Sequence, residues 1–185
     1  MAFRVYDIRK TPPDTFPFYF LDANVWIYYL KPRSTLKREE QLYVRFVDGI
    51  IRLSDEHPDK PKFVWCSILL SEIINTLLRI DMKSRGMSDF KNQYRPSNFY
   101  RNSLSALVSD LQGFEPYIKL VEDGFTTMDV FNGLLMNFSP SVDFNDLYYV
   151  QLVRSMQGTA IVTNDGDFQF EDVPIVTLNT ALLSL

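Results

Sequence analysis

Four short runs constrain the fold of this chain most: "FYFLD" (18–22), "KFVWC" (62–66), "TAIVT" (159–163) and "VPIVTL" (173–178). Each is apolar and β-rich without the alternation of a strand that has one face in water. Such runs read as strands buried on both faces. Between them lie longer segments with helical spacing. In "TLKREEQLYVRFVDGIIRLSDE" (35–56), Leu42, Phe46, Ile50 and Leu53 fall on one face. Short buried strands alternating with helices mean an α/β fold: a central, mostly parallel sheet covered by helices on both sides.

The remaining segments fit that plan. "ANVWIYYL" (23–30) reads as a short helix. Ser67 is placed to cap the helix "ILLSEIINTLLRIDMK". "SRGMSDFKNQYRPS" (84–97) has no clear period and reads as a loop. Residues 99–124 read as mostly helical, with an interruption near Gly113 and Pro116. Further helices are expected over 126–138 and 143–157. Residues 1–17 form an N-terminal extension that Pro12, Pro13 and Pro17 keep non-helical. The domain proper is 18–185, with an elaborated helical region at about 86–138.

A chain of 185 residues with 46% apolar residues suits one domain with a full core. The first residues lack the apolar core of a signal peptide, and no apolar run reaches the roughly 18 residues of a membrane span. No membrane association is therefore expected. The only cysteine, Cys66, fits a reducing, cytoplasmic setting. One cysteine and one histidine exclude a structural zinc site of the usual kind. The lone histidine, His57, also excludes a metal-free ribonuclease working with a histidine pair.

The net charge of −4 hides a division. Residues 102–185 hold Lys119 and Arg154 against eleven acids, net −9, and residues 1–101 hold 17 basic and 12 acidic groups, net +5. Such a division suits metal ions together with a phosphate-bearing substrate. Between 79 and 101, Arg79, Lys83, Arg85, Lys91, Arg95 and Arg101 oppose only Asp81 and Asp89. Of these, Arg79, Lys83, Arg85 and Arg95 are candidate contacts to RNA phosphates.

In open parallel sheets, ligands bind at the carboxyl ends of the strands. Asp22 ends the first apolar run, and Asp165 lies two residues beyond "TAIVT". Glu72 stands in the second turn of the helix leaving the second run. Asp146 stands in the first turn of the helix that leads into "TAIVT", while Asp143 reads as that helix's cap. Four acids distant in sequence thus meet on one rim. Unit charges about 4 Å apart repel by roughly 4 kcal/mol at an effective dielectric of 20. Cations or protons must compensate. Oxygen ligands without histidine or thiolate select Mg²⁺ or Mn²⁺. Two such ions would activate water and stabilise the leaving oxygen of a phosphodiester.

"FLDANVWIYYL", "SEIINTLLR", "DFNDLYYVQLV" and "IVTNDGDF", in this order, resemble the PIN-domain nucleases, and among them the VapC-like toxin ribonucleases. The matching segments run from about Tyr19 to Leu178. The resemblance implies a three-layer α/β/α PIN-like fold and metal-dependent cleavage of single-stranded or structured RNA. It implies that Asp22, Glu72, Asp146 and Asp165 form the catalytic and metal-binding set. Asp167 fills the place of a further acid supporting the metals, and Asn24 and Thr163 match polar positions that orient the first acid. It also implies a homodimer and a small antitoxin protein covering the active-site groove. Two features depart from the pattern: 17 residues precede the first strand, and 73 residues lie between Glu72 and Asp146. An RNA-processing or quality-control nuclease without antitoxin, and a catalytically silent scaffold that acts by binding, stand as alternatives. A dehalogenase-type hydrolase does not, because Asn24 occupies the place of its second aspartate.

Overall fold

The computed structural model describes residues 3–57, 62–122 and 143–185. Six strands form one sheet in the order β1-β6-β5-β2-β3-β4. They are β1 (Val5–Asp7), β2 (Phe18–Leu21), β3 (Lys62–Trp65), β4 (Ile118–Leu120), β5 (Thr159–Val162) and β6 (Ile175–Thr177). All five pairings are parallel. The helices flanking the sheet are α1 (Ala23–Leu30), α2 (Arg38–Glu56), α3 (Ser67–Ser84), α4 (Asn98–Gln112), α5 (Phe144–Ser155) and the short α6 (Thr180–Leu183). The result is a three-layer α/β/α architecture. Among the described residues no helix is long and apolar enough to cross a membrane.

The apolar runs become the middle of the sheet because they have no polar side to present. All four residues of β5 and all three of β6 are buried. The second to fourth residues of β2 and of β3 are buried as well. Trp26 of α1 fills the space over β3, with ring centroids 5.4 Å from Phe63 and 5.3 Å from Trp65. Phe114 closes the same cluster at 5.1 Å from Trp26. On α5, Leu147 to Val150, Leu152 and Val153 are all buried, and Tyr149 packs 4.8 Å from Phe20.

Several local expectations are corrected. Residues 1–17 are not merely an appendage: Val5–Asp7 extends the sheet as β1, in register with Ile175–Thr177. Its prolines come later and do not interrupt the strand. The stretch after Gly113 leaves the helix for a 3₁₀ turn at Glu115–Tyr117 and then enters edge strand β4. Ser67 is the first helical residue of α3; Cys66 occupies the cap position, with no side-chain cap bond. The loop expected over 84–97 contains a π-helical turn, Phe90–Tyr94, capped by Asp89. Asp143 caps α5 as expected, accepting from the Asn145 N–H at 2.6 Å. The helix expected over 126–138 lies outside the described residues.

The turn into β5 depends on Gly158, whose φ of +78° is the left-handed region that L side chains resist. A Cβ there would also stand 2.9 Å from the Pro17 ring. Gly158→Ala is expected to cost at least ~1–2 kcal/mol from the backbone alone. At about 2–4 °C per kcal/mol, a thermal melt should show a loss of several degrees.

Candidate functional site

The strand order places a topological switch point between β2 and β5. From β2 the chain proceeds to β3 and β4 on one side, and later returns to β5 and β6 on the other. At such a point the loops leaving the two strands diverge and open a crevice at their carboxyl ends. Asp22 and Thr163 stand on its two lips. The β2–β5 ladder continues one residue further, with the Asp22 N–H donating to Val162 O at 3.0 Å.

Asp22 is the most constrained group of the site. Its side chain is almost wholly buried, with the residue 6% exposed. Its Oδ2 accepts from the Thr163 hydroxyl at 2.7 Å and from the Asn24 amide. Thr163 Oγ1 in turn accepts from the Asp165 N–H at 2.9 Å. The two polar positions expected to orient the first acid therefore do so. Burial pushes the Asp22 carboxyl up to about 7, with Glu72 and Asp165 raising it further and the Thr163 hydroxyl pulling it back.

Asp146 reaches the same place from the first turn of α5. It is half-buried, and its carboxyl is also pushed up to about 7, first by desolvation and then by Asp22, Asp143, Asp165 and Glu72. Those electrostatic effects connect the four acids: Glu72 and Asp165 act on both Asp22 and Asp146, and Asp22 acts on Asp146. None of the four takes part in an ion pair among the described residues.

Glu72 is held by two side chains that the sequence did not single out for the site. Tyr149 donates to its Oε2 at 2.6 Å and Asn145 at 3.2 Å. Burial, and then the carboxylate it serves, hold the Tyr149 phenol far above its ordinary range, so it remains a donor at working pH. The i, i+4 spacing of Asn145 and Tyr149 on α5 was the available signal. Asp165 sits in the turn after β5. Its Oδ1 accepts from the Asp167 N–H at 3.0 Å, and Asp167 itself is exposed.

A second ring of bonds fixes that turn. The Tyr43 hydroxyl on α2 donates toward Thr163 O (3.0 Å) and Asn164 Oδ1 (3.1 Å) while accepting from the Leu178 N–H at 2.8 Å. Asn179 donates to Asn164 O at 3.0 Å. The turn that carries Asp165 is thereby tied to α2 and to the end of β6.

The basic residues divide. Arg85 is paired with Asp81 at 2.8 Å and lies over the Phe99 ring at 4.4 Å. Arg79 lies over the Phe90 ring at 4.9 Å and, like Lys83 and Arg95, is exposed.

All donors at the rim are carboxylate oxygens, with amide and hydroxyl groups behind them. That set fits a hard divalent cation such as Mg²⁺ or Mn²⁺. Among the described residues no group of three or more His, Cys, Asp or Glu is already close enough to hold an ion.

No protein-family model matches the chain, and no curated protein matches it. Among solved structures, the crystal structure of PAE2754 from Pyrobaculum aerophilum is similar with a TM-score of 0.46 and 14% identity, over 96% of this chain and 94% of that one.

The raised carboxyls have a consequence for stability. A carboxyl whose folded pKa is near 7 and whose unfolded pKa is near 4 binds more protons folded than unfolded between those values. Stability then falls as pH rises through that window. In EDTA, the wild type is expected to melt lower at pH 7.5 than at pH 5.5. Asp22→Asn should flatten the difference and raise the melting temperature at pH 7.5. Thermal melts of both proteins at the two pH values check this.

Proposed function

We propose that this protein is a PIN-like ribonuclease that hydrolyses RNA phosphodiesters with Mg²⁺ or Mn²⁺. The observation that carries the reading is the meeting of Asp22, Glu72, Asp146 and Asp165 at the switch point, where their neighbours raise the Asp22 and Asp146 carboxyls and no cation among the described residues pairs with them. Acids so placed would hold divalent ions, whose chemistry when bound would be activation of a water and stabilisation of the leaving oxygen.

The chain's own residues define how that site would work. Asp22, rigid at the floor of the crevice, fixes where an ion sits, because Thr163 and Asn24 leave its Oδ2 no freedom to swing. Glu72 is oriented by Tyr149 and Asn145, which both donate to its Oε2 and leave its Oε1 without a donor among the described residues. Asp146, from the first turn of α5, and Asp165, from the turn after β5, would add further carboxylate oxygens. No side-chain nucleophile is required, and none of the four acids needs one beside it.

The order of the four motifs further supports the toxin of a toxin–antitoxin pair, with a small antitoxin protein and a homodimer as its partners and the cytoplasm as its setting. The buried Cys66 accords with that compartment. A processing nuclease without antitoxin would share the chemistry and differ in cellular effect.

Two experiments test the reading. Cleavage of an RNA panel should require Mn²⁺ or Mg²⁺, stop with EDTA, and be lost in Asp22→Asn and Asp146→Asn, whose folds persist. His57→Ala should cut as the wild type does. Metal-independent cleavage that survives in Asp22→Asn would refute the proposal. Induced expression of the wild type should arrest growth and that of Asp146→Asn should not. An enzyme active on RNA yet harmless on induction would instead be a processing nuclease.

A further inference from the structure

One exposed face of α3 is continuous with the carboxylate rim. Ser67, Ser71, Asn75, Arg79 and Lys83 follow one another at intervals of four, and all five are exposed. At about 3.6 residues per turn, side chains at this interval stand one above the next along a slowly winding stripe. Ser67, Ser71 and Asn75 line an open cleft of about 490 Å³ together with Ile68, Glu72 and Asn145. Glu72 is thus both a wall of the cleft and a member of the acid cluster.

The chemistry of the stripe changes with distance from the site. Near Glu72 it is neutral and polar. Arg79 follows about 10 Å along the axis and Lys83 about 16 Å, at 1.5 Å per residue. The one acid in this half of the helix, Asp81, is turned to other work: its Oδ2 accepts from Arg85 (2.8 Å), Tyr94 (2.5 Å) and Ser103 (2.8 Å). The Arg79 guanidinium rests on the Phe90 ring, which steadies its planar fork while leaving it exposed.

Within the cleft, Asn75 Nδ2 donates to Ser71 O at 2.8 Å and to Ser71 Oγ at 3.2 Å. Asn75 Oδ1 has no donor among the described residues, and the Ser71 hydroxyl keeps its own proton to give. An acceptor and a donor therefore stand side by side. The ribose 2′-hydroxyl is both donor and acceptor, and deoxyribose lacks it.

We propose that α3 is the track for one single strand of RNA leaving the carboxylate site. Ser71 and Asn75 read the 2′-hydroxyl of a nucleotide near the cut bond, and Arg79 and Lys83 hold phosphates further along. This rests on the ribonuclease reading above. It also narrows the basic region 79–101 to two working cations.

The test measures binding of a short, dye-labelled single-stranded RNA and of its DNA counterpart by anisotropy in EDTA, across a salt series. The full chain is used throughout. Arg79→Ala with Lys83→Ala should weaken RNA binding several-fold and reduce the slope of log affinity against log salt by about 1.4, that is 0.7 per phosphate. Arg45→Ala with Arg52→Ala removes the same charge from exposed positions on α2 and should do much less. Asn75→Ala should bring the affinity for RNA down to that for DNA and leave DNA binding unchanged. If the α3 pair keeps the wild-type slope, or the α2 pair loses as much, the track is elsewhere. An unchanged preference for RNA in Asn75→Ala overturns the 2′-hydroxyl contact. In those cases Mn²⁺-dependent cleavage by the wild type leaves the ribonuclease reading standing, whereas a wild type that neither binds nor cuts RNA removes both.

Discussion

Burying a carboxylate at the end of a central strand is the constraint around which the rest of this structure is arranged. Asp22 is 6% exposed and has no cation beside it among the described residues. Taking an ion out of water costs several kcal/mol unless hydrogen bonds and opposite charge offset it. Here only hydrogen bonds are at hand, and they come from both sides of the switch point: Asn24 from the helix after β2, Thr163 from the turn after β5. The same bonds tie the two middle strands together beyond their ladder. Tyr43 and Asn179 then hold the β5 turn from behind, so its position does not depend on Asp22 alone. A wholly apolar junction would be more stable. The protein keeps a charged one, and rigid elements on every side keep it in one geometry.

Much of this was legible in the chain because burial leaves a dense signature. β5, β6 and most of β2 and β3 are enclosed, and their sequences have no polar residue to spare. The parallel arrangement and the placing of Asp22 and Asp165 at one edge follow from that. What escaped reading was short or exposed. β4 has one half-buried and two exposed residues, and β1 has three half-buried ones. Three residues are too few to show a period, and pairing to a neighbour, not side-chain character, makes them strands. The Tyr149–Glu72 bond spans 77 residues and depends on how α5 sits against α3. No local pattern encodes such a distance. Asp167 entered with the acids through the resemblance, and in the fold its residue is exposed while its N–H donates to Asp165 Oδ1.

The charge division seen along the chain acquires a shape in the fold. Three elements bring Asp146, Asp165 and Asp22 to one crevice, while α3 carries Glu72 at its inner end and Arg79 and Lys83 at its outer end. A single helix thus joins the acid crevice to two exposed cations. An anionic polymer would meet attraction along the helix and repulsion at its base until a cation intervened, so capture and reaction would respond to different ions.

The strand formed by Val5–Asp7 affects what happens at the far side of the sheet. It lies against β6, whose three residues are all buried, and it satisfies backbone groups that would otherwise face solvent. Strand edges left open invite pairing with another chain. A protein shortened to begin at Phe18 would retain every acid of the crevice and yet expose Ile175–Thr177 along its full length. Its first difficulty would be self-association through that bare edge, long before any failure of chemistry. The opening strand thus moves the sheet's edge from the enclosed β6 to three half-buried residues.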